Sequence, residues 1–173
     1  NDSAAVSLPT MTSHQFHYMA SLFLTFVTTF GLGLFVMSRA RGRALHRVFG
    51  YYSLAIAGWS LMQGVLNFVP DQDQAVLLAR VCHIAIILIP ALFLHFTWKL
   101  LEDPSLRRLV ILNYVVCAGF LMIVPLPVFI PSVSVRPYLR GDFFHGLYTD
   151  TGPLYGWHVL WFVVLASYGL LLL

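Results

Sequence analysis

Charge is what this sequence has least of. Only 10% of its 173 residues are Asp, Glu, Lys or Arg, against about 25% in soluble domains. The acidic residues stand in loops or at the edges of apolar stretches. A carboxylate relay of the kind pumps and transporters use within the bilayer is therefore poorly supplied, and there is no inverted repeat of the kind many transporters carry. Cysteine is equally scarce. Cys82 and Cys117 both fall inside apolar stretches, which gives neither an external disulfide framework nor a zinc spacing. Buried free thiols are the simpler reading. The chain also lacks a phosphate-binding glycine loop, a zinc-protease helix and a nucleophile elbow. No catalytic residue, metal or cofactor is assigned.

What is abundant is apolar sequence. Hydrophobic residues make up 59% of the chain and the mean hydropathy is +0.81, which describes a multi-pass membrane protein. About twenty apolar residues cross a bilayer, and the sequence supplies five such runs, near 17–38, 48–69, 80–101, 109–126 and 156–173. The expected fold is therefore an all-α transmembrane bundle over 17–173, preceded by a polar external segment, 1–16. The formal charge of +3 does not point to nucleic acid, because the basic residues flank spans. Arg39, Arg41, Arg43 and Arg47 follow the first span, and Lys99, Arg107 and Arg108 follow the third. The positive-inside rule makes these loops cytoplasmic and the N-terminus external. Because positive charge follows the first apolar run, that run is not a cleaved signal peptide. The chain opens at Asn1 and is still apolar at Leu173, so it reads as part of a longer protein.

The third run, 79–104, is the centre of the chain. It begins near Arg80, passes Pro90 and closes with Trp98, Lys99, Glu102 and Asp103. Pro90 removes a donor from the carbonyl of Ile86, so a kink is expected there. His83 and His95 lie about 18 Å apart along the axis at 1.5 Å per residue, so they belong to different sites. His95 with Trp98 and Lys99 reads as an inner interfacial anchor. His17, His83 and His158 each stand near the external end of a different span. Imidazoles at one depth suit a pH-sensitive or ligand-binding cluster, a metal, a haem held by His83 and His158, or plain contacts to headgroups and loop carbonyls. Ser53, Ala57, Ser60, Gly64 and Asn67 share one face of the second span, and Ser21, Thr25, Thr29 and Gly33 one face of the first. Helix packing is the plain reading of both rows, with a polar cavity near Gln63 and Asn67 as the other. The external loop, 127–155, carries Phe129, Tyr138, Phe143, Phe144, His145, Leu147 and Tyr148 among Gly and Pro. It is expected to fold over the outer mouth as a short hairpin or helix.

At residues 49–104 the pattern FGYYSLAIAGWSLMQGVLNFVPD followed by VLLARVCHIAIILIPALFLHFTWKLLED resembles the N-terminal seven-transmembrane input region of bacterial sensor histidine kinases. The residues that carry the likeness are Trp59 in a small-residue second helix, Arg80 opening the third, and Pro90 before Phe93 and Phe96. The fifth span, GPLYGWHVLWFVVLASYGLLLL, is also similar. The resemblance implies a sensor module in a bacterial inner membrane. Its sixth and seventh helices would lead to a cytoplasmic output domain, usually a histidine kinase, although diguanylate cyclases follow similar regions. This chain holds five spans and no output domain. The expected ligand-contacting residues are Trp59, Gln63, Asn67, Arg80, His83 and His158, with a small or lipid-like molecule as ligand. Membrane lipids and a second copy of the chain are the expected partners. The competing reading is an accessory or assembly subunit bound to other membrane subunits.

Overall fold

The computed structural model describes residues 13–69, 71–139 and 141–173. Five helices, α1 (Ser13–Ser38), α2 (Ala44–Leu66), α3 (Gln72–Leu101), α4 (Leu106–Ile123) and α5 (Tyr155–Leu172), are interrupted after α4 by strands β1 (Val133–Leu139) and β2 (Gly141–Thr149). Most of the expected external segment, 1–16, lies outside the described residues, as does Arg140.

Apolar sequence forms helices here because a helix satisfies its own backbone, the one requirement that hydrocarbon enforces. Four of the five helices are long and apolar enough to span a membrane: α1 from Phe16, α3, α4 and α5. The expectation of five spans is met by four on those criteria. Helix α2 has the length, 23 residues, but Tyr51, Tyr52, Ser53, Trp59, Ser60 and Gln63 dilute its apolar character. It tolerates them because it packs between α1 and α3, with Ser53, Ala57 and Ser60 buried. Helices α1 and α2 run antiparallel along their lengths. At one end a Cβ on Gly33 would lie 3.2 Å from the carbonyl oxygen of Gly50, and at the other a Cβ on Gly64 would lie 3.9 Å from the terminal methyl of Met19.

Helix α3 packs against α2, α4, α5 and β1. It begins two turns before Arg80, because Asp71 sits at its N-cap with its carboxylate toward the Asp73 N–H at 3.4 Å. A cap and an acidic first turn both favour a helix start. At the other end Glu102 turns left-handed (φ 55°) and its N–H bonds the Trp98 carbonyl. The helix is continuous through Pro90. A thiol donor, Cys117, reaches the carbonyl of Ile87 at 3.4 Å, one residue beyond the oxygen expected to be freed. With Tyr114 meeting His95, this contact shows that α4 runs antiparallel to α3. Helix α5 runs parallel to α3, since Tyr155 meets His83 and Gly169 lies against Phe93.

The surface is apolar and the interior partly polar. Phe23 (68%), Met122 (79%) and Leu171 (85%) are exposed, whereas Thr97 and Asn113 are fully buried. That distribution suits lipid as solvent.

The loop after α4 is a β-hairpin, one of the two forms expected of it, carried on an all-α bundle of five helices. Its antiparallel register sets Val133 opposite Thr149. The base is cinched by Asp150, whose N–H bonds the Ser132 carbonyl at 2.9 Å. The Ser132 and Ser134 hydroxyls donate to its two carboxylate oxygens at 2.7 and 2.8 Å. The expected covering of the outer mouth by aromatic side chains from Tyr138 to Tyr148 lies outside the described side chains.

Gly152 donates to the Phe129 carbonyl at 2.9 Å so closely that a Cβ would run into the Val128 carbonyl. Gly152→Ala is expected to lower stability by about 1–3 kcal/mol, read as an earlier thermal melt in detergent. In the α3–α4 turn, the Ser105 N–H and hydroxyl donate to Asp103 at 2.8 Å each, holding its carboxyl below the ordinary 3.8. A depressed folded-state value stabilises above the ordinary one, and that contribution is lost as pH falls through the folded value. Asp103→Asn is therefore expected to flatten the acid limb of thermal melts recorded below about pH 4.

Candidate functional site

Helical spacing places Arg80 and His83 one turn apart on α3. His83 is 4% exposed. Its Nδ1 donates to the Ala79 carbonyl at 2.7 Å, which leaves Nε2 of the neutral ring as an acceptor. Its donor is the Tyr155 hydroxyl, a long contact at 3.4 Å. Arg80 sends Nη2 to the Ile130 carbonyl at 2.9 Å, while its buried Nε has no protein partner. This bond ties the Arg80 end of α3 to the chain just before the hairpin.

His158, one turn into α5, is 2% exposed. The rings of Phe120, Phe129, Tyr155 and Phe162 surround it at centroid distances of 5.3, 5.7, 5.9 and 6.4 Å. Neither of its nitrogens is hydrogen-bonded to protein. His83 meets two of the same rings, Phe129 at 6.1 Å and Tyr155 at 5.5 Å. Arg80, His83 and His158 are thus joined through Tyr155, Phe129 and Ile130.

The other expected site residues stand apart from this cluster. Asn67 Nδ2 bonds back to the Gln63 carbonyl at 2.7 Å. Trp59 and Gln63 are half-buried on α2, and the Trp59 carbonyl faces the Cys82 thiol at 3.9 Å. His17 is exposed, edge-on to Phe16 at 5.9 Å, so the three histidines expected at one level do not form one group. Sequence reasoning missed Tyr155 as a member. Its position three residues before His158 was an available signal, since such residues share a helix face.

A second polar set lies toward the arginine-rich end. His95 Nδ1 meets the Tyr114 hydroxyl at 2.9 Å, its ring stacks on Trp98 at 5.4 Å, and Lys99 Nζ sits 3.8 Å from the Trp98 ring centre. Asn113 Oδ1 accepts from Trp161 Nε1 at 3.1 Å, linking α4 to α5. His95 is therefore part of the helix packing.

Cavities occur elsewhere. One of about 690 Å³ is lined by residues of the α1–α2 turn, the end of α3 and the start of α4. A smaller apolar one, about 160 Å³, lies between α1 and α2 beside Ser60 and Gly64. Among the described residues no group of three or more His, Cys, Asp or Glu is arranged to hold a metal.

A family model described as the N-terminal 7TM region of histidine kinase matches residues 21–173. No curated protein matches the chain, and no solved structure does.

A buried polar group without a partner costs about 1–3 kcal/mol, and an apolar replacement of similar shape removes that cost. His158→Phe is accordingly expected to leave thermal stability unchanged or raise it by about 1 kcal/mol. Arg80→Met, which releases the Ile130 carbonyl, is expected to lower it by about the same amount or more. Melting curves of the two variants in one detergent check both signs.

Proposed function

This chain belongs to the family of N-terminal 7TM regions of histidine kinases, and we propose that it senses a small or lipid-like ligand at the Arg80–His83–Tyr155–His158 cluster. The observation that carries the reading is His158, buried in a ring of aromatic side chains with both nitrogens unbonded by protein. A ligand that offers a donor or an acceptor there gains the free energy otherwise lost to desolvation.

The cluster is tightly packed, so a ligand enters only by separating rings contributed by α3, α5 and the hairpin foot. Bound and free arrangements then differ in helix spacing, and that difference is what lets binding shift an equilibrium. Helices α3 and α5 run parallel from the cluster to the arginine-rich end. The positive-inside rule puts that end in the cytoplasm of a bacterial inner membrane, and the hairpin outside. A displacement of two parallel helices, within a homodimer, is the signal passed to the output domain. Between the two functional readings open to the sequence, family membership favours the sensory one over an assembly subunit.

The test uses the intact kinase in its native membrane, with autophosphorylation followed against graded lipid extract and graded culture-medium fractions. His83→Ala and His158→Phe are expected to move the half-maximal dose by at least about fivefold, the equivalent of roughly 1 kcal/mol in binding. Dose curves that overlay the parent in both variants would remove the cluster as the ligand site.

A further inference from the structure

One cavity belongs to neither the histidine cluster nor the sensing step assigned to it. It lies at the arginine-rich end, where three elements converge: Arg43 and His46 from the start of α2, Trp98 and Lys99 from the last turn of α3, and Arg107 from α4. Glu102 is the one carboxylate in its wall. Three full cations against one carboxylate leave an excess of two positive charges, His46 not counted. Charges that serve only to orient spans have no need to surround a common space. These do, and the open cavity's volume of about 690 Å³ falls in the range of small-molecule sites.

Each group in the wall is available to an anion. Lys99 is held over the Trp98 ring at 3.8 Å, a contact that positions its ammonium and leaves its charge in place. Arg43 occupies the N-cap of α2 in extended conformation and makes no side-chain cap bond. The first-turn N–H groups of α2, from residues that line the cavity, therefore keep their capacity to donate. His46 has a buried Nδ1 with no protein partner. Two guanidinium forks, an ammonium and free amides are the donor set that phosphate oxygens match. The cavity also lies at the level where Trp98 and Lys99 close the apolar run of α3, which is headgroup depth.

We propose that this cavity binds a phosphate-bearing anion, either the headgroup of an anionic lipid or free phosphate, between the α1–α2 turn and the α3–α4 turn. Basic pockets between membrane helices on the cytoplasmic side are suited to such headgroups. The anion bridges elements that otherwise repel one another, so its occupancy steadies the end of the bundle that faces the output domain. The proposal is independent of the outer site and stands or falls separately from it.

The intact protein in neutral detergent is titrated with short-chain phosphatidylglycerol, short-chain phosphatidylcholine and inorganic phosphate, with bound species counted by native mass spectrometry. Saturable binding of phosphatidylglycerol over phosphatidylcholine is expected. Resistance of that binding to inorganic phosphate identifies the lipid headgroup as the source, and displacement by it identifies free phosphate. Arg43→Gln and Arg107→Gln each weaken binding about fivefold, and Glu102→Gln strengthens it. Arg39→Gln and Arg41→Gln, which remove charge from the same end but outside the cavity wall, leave it unchanged. Equal weakening by all four arginine variants, equal binding of the two lipids, or no binding overturns the proposal.

Discussion

In hydrocarbon, helices gain no hydrophobic free energy from meeting one another, so a bundle holds only where backbones approach closely or polar groups pair. Everything in this fold depends on how α3 meets that condition. On one side it packs against α2, where the rings of Phe49 and Tyr52 meet Phe96 and Phe93. On the other, Cys117 bonds the Ile87 carbonyl and Tyr114 meets His95, and these contacts register α4. Arg80 holds the Ile130 carbonyl and so fixes where the hairpin begins. Helix α5 is positioned by Gly169, which lets Phe93 approach, and by Trp161 on Asn113.

The length of α3 explains why one helix serves both ends. Its 30 residues extend about 45 Å, well beyond the roughly 30 Å hydrocarbon core. One end carries Arg80 and His83 into a packed aromatic cluster. The other carries Trp98, Lys99 and Glu102 to an open, cationic cavity. The two ends follow opposite physical regimes. At the first, polar atoms are few and dry, so each unpaired nitrogen weighs heavily. At the second, charges are many and wet, and water and salt screen them unless a ligand displaces the water.

Much of this was legible in the sequence because it rests on local properties. An apolar run long enough to span must be helical, and arginines that follow such a run mark one face of the membrane. The separation of His83 from His95 follows from helix rise alone, and the pairing of Arg80 with His83 from the helical repeat. Even the hairpin was one of two forms expected of the loop after α4. The start of α3 was read too late because Asp71 and Asp73 were taken for loop when they are its cap and first turn.

Composition and charge order by themselves determined a multi-pass helical membrane protein with an arginine-rich end, since burial in lipid selects residues one segment at a time. Tertiary structure alone decided that His17 stays apart while His83 and His158 share Tyr155 and Phe129, and that Asn67 bonds within its own helix. It alone decided that α2, too polar to qualify as a span by its own hydropathy, fits between two neighbours. It also gathered Arg43, Lys99 and Arg107 around one space. Each of these is a contact between residues distant in sequence, set by which helix faces meet, and no single segment carries that information.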